Sequence, residues 1–372
     1  MIRITSVRKK AELRAFIRFP HRVYKNEPRW VPPLDADIKE RLDVRRNPFF
    51  EHAARELFLA YRNDEVVGRV AAIIDRNHNA VHGEKVVFFG MYESVDDEAV
   101  ARALLDAAAA WGRERGQDTL RGPANLSLND ECAFLYDGYD SPPTVMMPYN
   151  PPYYHGLMAA CGLAKAKDLY AFFMDRNYVV DPRVRGVVER TRSSHPDLVV
   201  RSFEAKAWRE ESEKIKAVYN QGWVKNWGFV PWTDKEMDAT VKKLLKLADL
   251  RIVVLAEDKG RAVGFAFALP NYNEILVKLK GRLFPFGIIR LLLGRKKIRG
   301  VRIVVFGILP DYWKTGLSYL LYEKLLANLL DSSYEWAETS WQLEDNEAVN
   351  RFVMSVGGRL YKTYRIYERK IA

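Results

Sequence analysis

The sequence predicts an α/β chain built as two mixed-sheet domains with flanking helices. Two observations carry that expectation. Residues 57–72, LFLAYRNDEVVGRVAA, return at 253–268 as VVLAEDKGRAVGFAFA. Leu59, Ala60, Val67, Gly68 and Ala72 recur at Leu255, Ala256, Val263, Gly264 and Ala268, always 196 positions on. The order of elements around the two stretches also repeats. A length of 372 residues, 48% of them hydrophobic, suits two domains of ordinary size better than one.

Taken in order, residues 2–7 read as a strand and 9–24 as a helix, followed by RWVPP. The 57–72 stretch reads as a hairpin, an apolar strand, a charged turn and a second apolar strand. Small Ala and Gly on its second strand imply that something packs close to the backbone. A strand at 86–92 and a helix at 98–115 come next, and the half closes as strand, helix, Gly, strand, its last helix ending near Cys161-Gly162. The second half repeats this: strand 198–204, helix 207–221 followed by NWGFVP, hairpin, strand 302–308 and helix 317–329. Its last helix ends near Gly357-Gly358 before a final strand. Residues 181–197 are charged and mostly lack periodicity, which places the junction there. The expected domains are 1–180 and 198–372, the second carrying a basic apolar insert at 274–300.

Composition narrows the function classes. The formal charge of +11 favours an anionic partner, whether nucleic acid, acidic lipid or a phosphorylated cofactor. Two cysteines, Cys132 and Cys161, without paired spacing argue against a disulfide framework or a zinc cluster. No His/Cys/Asp cluster has metal-ligand spacing, so no metal is expected. MIRITSVRKKAELRAF has no apolar core of a signal peptide, and no run of eighteen apolar residues occurs. The expectation is a reduced, cytoplasmic protein.

The stretch 304–326, VVFGILPDYWKTGLSYLLYEKLL, runs from an apolar strand through a turn into a helix. The first N–H groups of such a helix lack partners, and its dipole attracts an anion. Gly316 and the short Ser318 are expected to leave room for a phosphate, and Lys314 adds charge. The physics alone is equally served by an ordinary strand–helix turn.

On these residues, 250–370 resembles the Gcn5-related N-acetyltransferase superfamily. The acyl-CoA loop of that superfamily has the pattern Gln/Arg-x-x-Gly-x-Gly/Ala, which falls here on Trp313, Gly316 and Ser318. Gly316 matches, and Trp313 and Ser318 depart. A family Asn that opens a later helix matches Asn346, and Gly357 fits that helix's end. The position of the usual acidic Tyr holds Val353. The resemblance implies acyl-CoA as co-substrate, held by Phe306, Gly307, Ile308, Trp313, Lys314, Thr315, Gly316, Leu317, Ser318 and Asn346. The backbone N–H groups of 306–308 would polarise the thioester carbonyl.

The first half fits the same pattern more faintly. Its turn reads GMYESVDDEAVARALL, and Asp96, Asp97 and Glu98 stand where a diphosphate would lie. Acids there satisfy a helix N-terminus by themselves and repel CoA. The first half is therefore expected to be a degenerate copy forming part of the acceptor pocket. Across nearly its full length the chain also resembles a narrower bacterial group with tandem acetyltransferase folds, which includes the bacterial ceramide synthase. Its marks are LRGPANLSLNDECAFLYDGYDSPPTVMMPYNPPYY, NWGFVPWTDKE and LPNYNE. That resemblance implies transfer of a long acyl chain from acyl-CoA onto an amine such as a sphingoid base. Asn129, Asn150, Tyr154, Trp227 and Asn273, within or beside these marks, are the expected substrate-binding residues.

Residues 121–154 combine Asn125, Ser127, Asn129, Asp130 and Glu131 with six prolines and Tyr149, Tyr153 and Tyr154. Dense proline fixes a loop, and polar groups beside aromatics suit a pocket wall. An ordered surface loop whose Asn and Asp cap helices reads the same way. An acceptor amine arrives protonated near neutral pH and needs a base. Glu131, Glu338 and Glu344 are candidates, with Glu338 in the strand WAETSW. Tyr153 is a further catalytic candidate, and His155 is a lesser one.

From Lys278 to Arg302 there are nine basic residues and no acid, interleaved with FPFGIIRLLL. Phe284, Phe286, Ile288, Ile289 and Leu291, Leu292 and Leu293 suit a bilayer surface, with Lys and Arg at headgroups. A packed core segment is the alternative, and nucleic acid is disfavoured because a phosphate binder gains little from so apolar a run. The leading function is an acyl-CoA-dependent N-acyltransferase. A non-catalytic acyl- or CoA-binding module and an aminoacyl-tRNA-dependent transferase are the rivals.

Overall fold

The structure, a computed structural model, describes residues 1–177, 182–224, 226–283 and 287–371. In chain order the strands are β1 (Arg3–Ser6), β2 (Ala53–Arg62), β3 (Glu65–Asp75), β4 (Val86–Ser94), β5 (Thr119–Gly122), β6 (Phe134–Asp137), β7 (Ala164–Asp175), β8 (Leu198–Ser202), β9 (Val253–Asp258), β10 (Arg261–Pro270), β11 (Gly300–Ile308), β12 (Trp336–Leu343) and β13 (Arg359–Lys370). The helices are α1 (Lys10–Arg18), α2 (Pro20–Val23), α3 (Asp35–Arg41), α4 (Arg76–His82), α5 (Glu98–Arg113), α6 (Tyr154–Ala160), α7 (Pro182–Ser194), α8 (Trp208–Gly222), α9 (Asp234–Leu247), α10 (Asn273–Leu276), α11 (Gly287–Gly294), α12 (Leu317–Leu330) and α13 (Glu347–Ser355).

Two compact units divide the chain. The first comprises Met1–Leu169, Ile275–Leu291 and Lys362–Ala372, and the second comprises Tyr170–Glu274 and Leu292–Tyr361. These are not the boundaries 1–180 and 198–372 expected from the sequence. The end of β13 joins the first unit because its ladder is there: Tyr367 pairs Gly122, Lys370 pairs Thr119, and Tyr364 pairs Leu135. Tyr367 and Ile371 complete the first unit's core against Phe134, Tyr154 and Leu157. The start of the insert joins it too, where Asp35 N donates to Gly281 O at 3.1 Å. Nor is 181–197 an irregular junction. Residues 182–194 form α7, which buries Val184, Val188 and Thr191, one face at helical spacing. Its surrounding arginines masked that short period.

The internal repeat is real at the level of register. Ala60 faces Gly68 in one hairpin and Ala256 faces Gly264 in the other. Both turns take positive φ, at Asn63 and Asp64 and at Lys259 and Gly260, the geometry that two-residue hairpins require. The two glycines share a cause. A Cβ on Gly68 would stand 2.6 Å from Leu104 of α5, and one on Gly264 would stand 3.1 Å from Leu321 of α12. Each helix therefore lies directly on its hairpin. α5 turns Val100, Leu104, Leu105 and Ala108 to its strands, and α12 turns Leu317, Leu320, Leu321 and Leu325.

Candidate active site

In the second unit β11 and β12 run parallel and pair only from Gly300 with Trp336 to Ile303 with Thr339. Beyond Ile303, β11 keeps its antiparallel ladder to β10 as far as Ile308 with Gly264. Among the described residues the edge facing β12 has no strand pairing over 304–308, and Val304, Val305 and Phe306 are only half-buried. Two parallel strands thus part at a wedge with exposed backbone polar groups, which need partners.

Charge is concentrated where the strands part. Glu338, Ser340 and Arg302 are all buried, Glu338 completely. In the parallel register Arg302 stands beside Glu338. Its guanidinium donates to Ser340 Oγ at 2.8 Å and to Ser340 O at 3.1 Å. The hydroxyls of Ser340 and Tyr361 donate to the two carboxylate oxygens of Glu338. A carboxylate out of water needs this many partners. Tyr361 is only half-buried, so its hydroxyl is the more accessible end of the network.

The turn that follows β11 has the expected strand–helix form. Gly316 is the N-cap of α12, and no side chain caps the helix from that position. Leu317 N donates to Thr315 Oγ1 at 3.3 Å. Trp313 and Lys314 are exposed, Ser318 is half-buried, and Trp313 Nε1 donates to Ile308 O at 3.0 Å. The reason for glycine differs from the one expected. Gly316 has φ of 87°, and a Cβ there would meet Thr191 Oγ1 at 2.1 Å and Val187 at 3.3 Å. Helix α7, not open space, fills that direction. Left-handed backbone costs a non-glycine residue about 1–2 kcal/mol before any clash. Gly316→Ala is therefore expected to lower the thermal midpoint, and it tests packing, not ligand binding. Gly307 is likewise dictated by packing: a Cβ would stand 1.7 Å from the Trp223 ring.

Asn346 is the N-cap of α13, its side chain accepting from Val349 N at 3.3 Å. Val353, at the position of the usual acidic Tyr, is buried under Gly358. Phe306 instead faces Phe352, with ring centroids 5.5 Å apart, and Tyr319 meets Phe352 at 5.0 Å. On the α12 side of the strands lies an open apolar cleft that encloses only about 40 Å³. Ile303, Leu325, Leu329, Ala337 and Val356 are among its lining, with Tyr322 and Trp336.

The first unit holds the same parallel pair, β4 and β5, with its wedge filled. Pairing runs from Val86 with Thr119 to Phe88 with Arg121. The chain then stays on β4: Ala124 N donates to Phe89 O at 2.9 Å, and Met91 N donates to Asn125 Oδ1 at 2.7 Å. A Cβ on Gly90 would stand 1.9 Å from Ala124 O, so no ligand has room there. Asp97 caps α5 through Ala99 N and Val100 N, and its hydrogen bond to Arg62 at 2.6 Å holds its carboxyl below the usual range. The acids at this helix start serve the helix, as their sequence implied.

Several expected site residues serve the first unit's own architecture. Tyr153 donates to Ser94 O at 2.7 Å, and burial pushes its phenol above the ordinary range. Tyr154 is fully buried and donates to Glu93 at 2.7 Å, as Tyr24 does at 2.8 Å. Burial raises the Glu93 carboxyl, against the pull of Arg69. Asn150 clamps its own loop, accepting from Leu135 N at 2.6 Å and donating to Leu135 O and Pro151 O. His155 has both ring nitrogens engaged, Nδ1 with Tyr367 and Nε2 with Leu135 O and Tyr139, and burial lowers its pKa. Glu131 is half-buried and ion-paired with Arg41 at 3.4 Å. Asn129 N donates to Ser127 Oγ at 3.1 Å. In the second unit Trp227, Asn273 and Glu344 are half-buried. The structure thus pairs Glu338 with Arg302, on the strand that continues to 306–308, while Glu131 and Tyr153 belong to the first unit. Arg302, Ser340 and Tyr361 were missed. An arginine inside the apolar run VRIVVFG and the i, i+2 spacing of Glu338 and Ser340 were signals for two of them.

Among the described residues no group of His, Cys, Asp and Glu has a metal-binding arrangement, and no helix is long and apolar enough to cross a membrane. The fold is shared with a solved tandem GNAT protein from the clavulanic acid biosynthesis pathway: TM-score 0.57, 11% identity, 100% of this chain and 99% of that one. The class is therefore that of the tandem Gcn5-related N-acetyltransferase fold. No family model matches the chain. A bacterial ceramide synthase from Caulobacter vibrioides is 36% identical over 376 residues, covering 99% of this chain and 97% of its own. Protein YghO from Escherichia coli is 33% identical over 370 residues, covering 97% and 94%. The chain belongs to the family of these two proteins.

Proposed function

We propose that the protein is an acyl-CoA-dependent N-acyltransferase that moves a long acyl chain onto the amine of a long-chain base, the sphingoid type being the leading candidate. The observation that carries this reading is the wedge itself. Two parallel strands part beside a buried carboxylate, and an apolar cleft reaches Ile303, the last residue of β11 paired with β12. Its family supports the same class, and the relative from Caulobacter carries ceramide synthase in its name.

In this reading the thioester carbonyl lies against the unpaired edge of 304–308, whose N–H groups stabilise the developing oxyanion. The diphosphate lies at the start of α12, near Lys314 and Ser318. The amine nitrogen, once neutral, attacks the carbonyl carbon, the C–S bond breaks, and the thiolate takes up the proton that the nitrogen sheds on becoming an amide and leaves as CoA thiol. The proton lost by the ammonium passes to Glu338. Because Glu338 is completely buried, Tyr361 serves as the relay: its hydroxyl accepts from the amine and gives its own proton to the carboxylate. Val353 leaves the family's usual acid absent, and the same hydroxyl can return a proton to sulfur. The first unit, its wedge filled, binds no CoA.

Titration calorimetry with hexadecanoyl-CoA tests this assignment. We expect one CoA per chain, and Lys314→Glu to weaken it by about tenfold, the order of one charge-assisted contact to a phosphate. Lys314 is exposed and holds no packing role, so the variant stays folded. Unchanged affinity in Lys314→Glu would remove the phosphate from this turn.

A further inference from the structure

We propose that α11 and the described basic residues on either side of it form a docking surface for an anionic lipid bilayer. Ile288, Ile289, Leu292 and Leu293 are 44, 53, 63 and 72% exposed. At 3.6 residues per turn these four occupy one arc of about 140° on the helix, a continuous aliphatic face in water. Scattered exposed leucines need no explanation, whereas four on two turns of one helix form a patch.

The charge around the face selects the partner. Lys278, Lys280, Arg282, Arg290, Lys296 and Lys297 are exposed. Among the described residues none of these six is paired with a carboxylate, and no acid occurs in the sequence between residues 278 and 302. Arg295, also exposed, donates to Ala248 O at 3.5 Å and lies beside the Tyr272 hydroxyl. Unpaired cations crowded on a surface repel one another and destabilise the fold slightly unless a negative partner offsets them. Nucleic acid offers negative charge but no medium for Ile288, Ile289, Leu292 and Leu293. A bilayer with acidic headgroups offers both at once, with the aliphatic face at the acyl boundary and the long basic stems reaching back to phosphate. Arg290 interrupts the helix's apolar run, so α11 lies on the surface and does not cross it. Phe284 and Phe286, expected from the sequence to join the face, lie outside the described residues.

The inference rests on exposure and charge alone and stands if the transferase reading fails. Sedimentation with phosphatidylcholine vesicles, with and without phosphatidylglycerol, reads it directly on the full chain. The parent is expected to bind only the anionic vesicles, less tightly as salt rises. Arg295→Glu/Lys296→Glu/Lys297→Glu is expected to weaken that binding by about a hundredfold or more, the sum of three headgroup contacts. Leu292→Ser/Leu293→Ser, fully on the exposed face, is expected to weaken it also, with its salt dependence unchanged. Overturning results are no vesicle binding by the parent, equal binding after the triple reversal, displacement from vesicles by an equal charge of tRNA, or a parent dimer that the double serine variant dissociates.

Discussion

Glu338→Gln is expected to slow amide formation by about a hundred- to ten-thousandfold, the range for removing a positioned proton acceptor. The KM for acyl-CoA should stay near that of the parent, because in the proposed mechanism Glu338 receives the amine's proton and does not touch the diphosphate. Glutamine keeps the shape and one acceptor oxygen, so either Ser340 or Tyr361 retains its partner. Tyr361→Phe separates a relay from a scaffold. As a relay, it lowers kcat with little change in KM and leaves the bulk of the packing against Phe173 intact. If Tyr361→Phe is as active as the parent while Glu338→Gln is slow, the proton reaches the carboxylate through Ser340 or water. If both retain full turnover, Glu338 is a structural charge.

The second large effect is on stability. Arg302→Met removes a buried guanidinium that sits beside Glu338 and donates twice to Ser340. Stripping one partner from a buried charge network costs about 3–5 kcal/mol, since the other charge stays out of water uncompensated. The unfolding midpoint in urea should fall accordingly. Arg302→Met/Glu338→Leu should recover much of the loss, because an apolar pair of similar volume needs no partners. A double variant as unstable as the single one would mean that Arg302 holds the strands by means other than Glu338.

Much of this fold was readable in the chain because its determinants are local. The hairpins announced themselves by alternation and turn residues, and the fixed spacing of Gly68 and Gly264 reflected a helix pressed on each. The wedge's strand, its turn and Asn346 also lie in one contiguous run. What escaped depends on contacts distant in sequence. Tyr361 meets Glu338 across 23 residues of sequence, and a contact at that separation leaves no periodic trace. Tyr153, Tyr154 and Asn150 looked like pocket lining because Tyr and Asn serve pockets and buried clamps equally well. Their hydrogen bonds to Ser94, Glu93 and Leu135 supply the clamps, and no sequence pattern announces those partners. The helix of 182–194 was lost for a simpler reason: a face of Val184, Val188 and Thr191 is narrow against so many charges.

The central claim is acyl transfer from CoA to an amine. Its most direct test is thiol release from hexadecanoyl-CoA by the purified protein, with and without a long-chain base, with the product weighed by mass spectrometry. The account predicts thiol release that requires the base, matched mole for mole by the N-hexadecanoyl amide, and nearly lost in Glu338→Gln. Binding of hexadecanoyl-CoA with no thiol release under any amine would contradict it in favour of a carrier of acyl-CoA. No binding of CoA, together with salt-sensitive binding of aminoacyl-tRNA, would contradict it in favour of a tRNA-dependent transferase.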